Sequence, residues 1–174
     1  MRYIVYLLMV FVLWIVQQGL LPVIISFKHL PNLGLLFALV LAIQKQKGSY
    51  FFGILAALLL EFSVNVFPGA YLLAFVIMIY ATRMVFNKLI FSEKAAKYLV
   101  AVVVLSTIFM QLWVFNYNKL MVFLRVSGAV EVKLPPVESI LILCLLHIIC
   151  LYPIFFSNQL LERRFTRRAL SRNL

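Results

Sequence analysis

Long apolar runs, separated by short polar or basic stretches, dominate this chain. The runs at 3–26, 98–118 and 139–158 contain no Asp, Glu, Lys or Arg. A helix needs roughly 20 apolar residues, each rising ~1.5 Å, to cross a hydrocarbon core of ~30 Å, so each run predicts a spanning helix. A shorter uncharged run at 30–44 opens on Leu30-Pro31-Asn32. Pro31 suits a first helical turn there, because its missing N–H would have no intrahelical partner. The stretch 48–82 holds one charged residue, Glu61, and a Pro68-Gly69 pair that breaks a helix. A turn at that pair gives two spans, about 48–67 and 69–83, and six in all. Treating 62–82 as one helix orphans 48–60 and gives five.

Basic residues separate these two counts. With six spans, the N-terminus, Lys45 and Lys47, the 83–97 loop and the C-terminal tail lie on one side and hold twelve of the sixteen Lys and Arg residues. Lys28 and the 119–133 loop hold the other four. With five spans and the N-terminus inside, six basic residues lie inside and ten outside. The positive-inside rule therefore predicts an all-α integral membrane protein, a single domain over 1–174 with six transmembrane helices and both termini cytoplasmic.

Composition agrees. Of 174 residues, 66% are apolar and 12% charged, with a mean hydropathy of +1.09, against about half apolar and one-quarter charged in soluble domains. The net charge of +11 sits between apolar runs rather than on a basic face, so it marks topology and argues against a nucleic-acid partner. Residues 1–25 are expected to stay as a helix, since one Arg and Gln17-Gln18-Gly19 without a small-x-small site make a poor cleaved leader. No loop is long enough to bury a core of its own.

Polar residues at membrane depth are costly and face protein or water. Gly53, Ala57 and Glu61 recur every four residues and share one helix face, which directs Glu61 into the bundle beside two small residues that let a neighbouring helix approach. At ~1.5 Å per residue, Glu61, Gln18 and Gln111 all fall roughly two-thirds of the way out from the cytoplasmic end, which predicts a polar layer. Interhelical hydrogen bonds, worth about 0.6 kcal/mol each, account for the two glutamines; for Glu61 a structural and a ligand-binding role both stand. Cys144, His147 and Cys150 repeat every three residues but drift around the helix and lack a fourth ligand at matching depth. They are expected to be packing residues, with His147 an interhelical hydrogen-bonder and Glu61 one candidate partner. Neither a metal nor a cofactor is expected. No phosphate loop, nucleophile elbow or zinc-protease pattern is present, and only one carboxylate lies inside a span, so an enzyme is not expected.

In the tail 159–174, Arg163, Arg164, Arg167 and Arg168 group on one helix face while Leu161, Phe165 and Ala169 run along another. Such an amphipathic juxtamembrane helix suits anionic phospholipids, at ~1 kcal/mol per basic residue near the surface. An ordinary positive-inside tail, or an acidic cytoplasmic partner, fits the same residues. The apolar segment 120–124 in the external loop is expected at the interface or against a partner.

Six short helices, the Pro31-Asn32 entry and the stretch 48–80 resemble the bacterial rod shape-determining protein MreD family. In that family a Pro-Asn or Pro-Asp opens a span, a short basic loop follows, and the next span carries small residues at four-residue spacing, then an acidic residue, then a Gly near the turn. The counterparts are Pro31, Asn32, Lys45, Lys47, Gly53, Ala57, Glu61 and Gly69. Glu61 stands where the family usually has Asp, Ala57 where Gly is frequent, and Asn65 where Gly is common in the turn. The resemblance implies a non-catalytic scaffold subunit of the cell-elongation complex (elongasome) in the bacterial inner membrane. It would bind the single-span protein MreC and act with MreB and the peptidoglycan synthase pair. It also implies a fold like the substrate-binding subunits of energy-coupling-factor transporters. Such a vitamin-binding subunit is the alternative function, with the polar layer around Glu61 as its outward-facing pocket.

Overall fold

The computed structural model describes residues 2–25, 30–44, 46, 48–63, 67–88, 95–126 and 133–170, with backbone alone at 87–88, 95–97 and 165–170. Its described secondary structure is entirely helical: α1 (Arg2–Ile24), α2 (Leu33–Ile43), α3 (Ser49–Glu61), α4 (Ala70–Lys88), α5 (Ala95–Phe123) and α6 (Val137–Leu170). Arg2–Ile24, Tyr98–Phe123 and Val137–Arg164 are long and apolar enough to cross a membrane. The chain is accordingly a membrane protein. Leu33–Ile43, Ser49–Glu61 and Ala70–Phe86 are apolar but shorter.

The shortest helix, α2, forms the centre. α2 is apolar around its whole circumference, a pattern that suits a helix enclosed by protein, and Leu35 to Ala42 are all at most 1% exposed. It packs against α1, α3, α4 and α6. Tyr6 of α1 meets Phe37 of α2 and Phe52 of α3 edge-to-face, at centroid distances of 6.0 and 5.5 Å. At ~1.5 Å per residue α2 extends only ~17 Å, so its ends lie within the bundle. Chain ends at that depth must find hydrogen-bond partners in protein, because lipid offers none.

Helix boundaries depart from the expected spans in instructive places. Pro31 does not enter the first helical turn. Asn32 is the N-cap, its side-chain oxygen accepting the Leu35 N–H at 2.9 Å, and α2 begins at Leu33; Pro31 precedes the cap. α3 stops at Glu61 rather than 67. α5 continues to Phe123, so Leu120 to Phe123, assigned from sequence to the external loop, form its last turn. α6 runs on without a break through the tail to Leu170. Two prolines sit inside long helices. Pro22 follows a π turn at Val16–Leu20, where the Leu21 N–H bonds the Val16 carbonyl. A proline ring collides with the carbonyl four residues back, and widening the preceding turn is one way a helix accommodates it. Pro153 lies within α6.

At one end of the bundle the Arg2 guanidinium donates to Gln46 Oε1 and the Glu162 carboxylate, and the Tyr6 hydroxyl also donates to Glu162. Arg83 donates to the Gln46 carbonyl at 3.1 Å and lies 5.2 Å from the Tyr50 ring centroid. Asn158 donates to Gln44 Oε1. The start of α1, the α2–α3 connection and the late turns of α4 and α6 therefore meet. Lys28, Lys45, Lys47 and the 89–94 and 127–132 segments, which the topology count also used, lie outside the described residues.

Candidate functional site

The α3–α4 hairpin is built by the four-residue stripe. A Cβ on Gly53 would lie 2.1 Å from Ile79 Cδ1 of α4 and 3.4 Å from Ala38 Cβ of α2, so a side chain at this position would require the end of Ile79 to move. Ala57, one turn on, is fully buried. One turn further the same face delivers Glu61 to the start of α4. Its Oε1 accepts the N–H groups of Gly69, Tyr71 and Leu72 at 2.9, 2.9 and 3.0 Å. These are the donors a helix N-terminus leaves without partners, and an anion there also meets the positive end of the helix dipole. Gly69 has φ +95°, which residues with a Cβ rarely adopt. Three α5 side chains fix the turn from outside: Asn118 accepts the Phe67 N–H at 3.1 Å, Tyr117 donates to the Pro68 carbonyl at 3.2 Å, and Trp113 donates to the Ala70 carbonyl at 3.1 Å.

The start of α2 is held in a parallel way. Beyond the Asn32 cap, Gln17 of the π turn accepts the Leu33 N–H at 2.9 Å, and His147 Nε2 of α6 accepts the Asn32 N–H at 2.7 Å. An acceptor Nε2 places the ring proton on Nδ1, which lies 2.7 Å from Thr107 Oγ1; that hydroxyl in turn donates to the Val103 carbonyl at 2.8 Å. The imidazole is thus neutral and of one tautomer. Both ring nitrogens are engaged: the Nε2 lone pair is used by Asn32, and the Nδ1 N–H is directed at Thr107 rather than at Glu61.

Between these two helix starts lies a cavity of about 400 Å³. Gln17 and Gln18 of α1, Tyr71 of α4, Gln111 of α5 and His147 of α6 bring polar atoms to it, and Leu35, Leu60, Met110 and Leu143 supply apolar wall. Along their helices Gln18 lies ~24 Å from Arg2, and His147 ~22 Å from Glu162, at ~1.5 Å per residue.

The structure thus gathers Asn32, Gln18, Gln111 and His147 around one cavity, while Glu61 is turned to the α4 start and is not among the lining residues. Cys144 is buried and Cys150 half-buried, both as free thiols. Arg163 and Arg164 are exposed on α6. Asn65, and the side chains of Arg167 and Arg168, lie outside the described residues. Sequence reasoning missed Gln17, Thr107 and Asn118. A glutamine pair just over one turn before Pro22 was a signal for Gln17, since an irregular turn changes which of two neighbours faces inward; a lone Thr or Asn in an apolar run gave no comparable signal. Comparison with family models, with characterised proteins and with solved structures finds no match for this chain.

Proposed function

We propose that this chain is a non-catalytic scaffold subunit of a bacterial cell-elongation complex, the function that its resemblance to the MreD family implies. It would cross the inner membrane six times and bind a single-span MreC-like partner, with MreB and the peptidoglycan synthase pair in the same assembly. The observation that carries this reading is the capping of α4 by Glu61. The residues of the resemblance, Gly53, Ala57, Glu61 and Gly69, act together as one packed hairpin rather than as a ligand pocket. A rigid hairpin embedded in the membrane suits a docking subunit. Six spans with both termini cytoplasmic are favoured by the clustering of Arg2, Arg83 and Glu162 at one end, since six crossings bring the basic segments to the same side. The basic turns of α6 would lie on anionic phospholipid there.

The test is co-purification from detergent-solubilised membranes of the tagged chain with the MreC homologue of the same organism. Retention of the partner by wild type, and its loss in Gly53→Leu, is the expected result. Failure of the folded wild type to retain it overturns the scaffold function. The cavity favours a second reading, a substrate-binding subunit of an energy-coupling-factor-type transporter. In that case Glu61 would have no part in recognising substrate.

A further inference from the structure

We propose that the cavity between the α2 and α4 starts binds a small uncharged ring compound bearing an amide or imide edge, held by the carboxamides of Gln18 and Gln111. Four observations lead there, none of which depends on the scaffold function. First, among the described residues the lining contains no Asp, Glu, Lys or Arg. The nearby carboxylate, Glu61, is committed to three backbone N–H groups, and His147 is neutral because it accepts the Asn32 N–H. A charged ligand would therefore give up hydration against neutral polar groups alone, without gaining a counter-charge, which favours a neutral occupant. Second, Asn32, Gln17, Thr107 and His147 are occupied in holding α2. Among the described residues, by contrast, no hydrogen bond reaches the side chains of Gln18 or Gln111. A carboxamide presents one N–H donor and the carbonyl acceptor along one planar edge, which pairs with a second amide edge in a bidentate manner.

Third, the volume of about 400 Å³ falls in the range of small-molecule sites, ~300–1,000 Å³, and exceeds what a few waters need, at ~30 Å³ each. Fourth, the site adjoins the π turn of α1, a distortion frequent at functional positions; the turn holds Gln17 and Gln18, both of which line the cavity.

The experiment measures thermal stability of the purified full chain in detergent with matched pairs of neutral and anionic rings: nicotinamide against nicotinate, and uracil against orotate. At least one neutral member is expected to raise the unfolding temperature saturably, its charged counterpart to do nothing, and Gln18→Leu and Gln111→Leu each to weaken that response about tenfold, the loss of one good hydrogen-bonded contact. The proposal is overturned if neither neutral ring stabilises the wild type, if the anion does so equally, or if the response persists in both variants. Should one variant fail to fold, the wild-type ranking and the other variant still decide. Partner retention is read separately, so failure of this site leaves the scaffold test standing.

Discussion

Glu61 is where the architecture is most exposed to a single substitution. Glu61→Leu removes the acceptor for three N–H groups, of Gly69, Tyr71 and Leu72. Leaving one buried donor unpaired costs about 1–3 kcal/mol, and replacing a helix N-cap with an apolar residue costs ~0.5–2 kcal/mol. Because Glu61 is half-buried and the three bonds share one oxygen, the summed loss should lie near the low end of the additive range, roughly 3 kcal/mol. Glu61→Gln keeps an oxygen of the same reach and loses the charge, so it should forfeit only the charge-assisted part, about 1 kcal/mol. Unfolding by denaturant in mixed micelles measures both. Hydrogen exchange then localises the effect, with amides 69–72 exchanging faster in Glu61→Leu and nearly unchanged in Glu61→Gln. Equal stability of the two variants, or wild-type exchange at 69–72 in Glu61→Leu, would refute the capping role.

Three further outcomes follow from particular contacts. Gly53→Ala should destabilise by about 1–3 kcal/mol through overpacking, and Ile79→Ala in the same chain should recover much of that, since Ile79 Cδ1 occupies the Cβ position; Gly19→Leu, with nothing within 4 Å, should be tolerated, and equal effects at both glycines would remove the packing argument. His147→Phe should cost about 1–3 kcal/mol by orphaning the Asn32 N–H, measured by the same unfolding assay, whereas a neutral outcome would mean that water replaces the imidazole. In a chain with Cys144 and Cys150 replaced, cysteines at positions 2 and 162 should be joined by a bis-maleimide long enough to replace the two side chains of the Arg2–Glu162 ion pair, while labelling at Pro68 and Arg164 should report opposite membrane faces; no cross-link, or the same face for both, would contradict six spans.

The sequence by itself determined the membrane class, because composition and uninterrupted apolar length depend on no long-range contact. It also located the six helical segments seen among the described residues, because Pro31-Asn32 and Pro68-Gly69 act on their own neighbours through backbone geometry. The Gly53, Ala57 and Glu61 stripe was legible as one face for the same reason, a fixed angular step per residue. What that face touches was not. Whether Glu61 meets a ligand, His147 or a helix start depends on where α4 begins after a turn at positive φ, and only the tertiary arrangement places three N–H groups around its oxygen. The cavity is equally a product of assembly. Gln18, Gln111 and His147 are separated by many residues and reach one level because three helices of different length are set side by side, while a π turn changes which residues of α1 face inward. Helix ends also escaped the pattern: apolar residues continue past Glu61, and the starts of α2 and α4 are held by His147, Gln17 and Glu61, side chains from other helices that satisfy the exposed backbone.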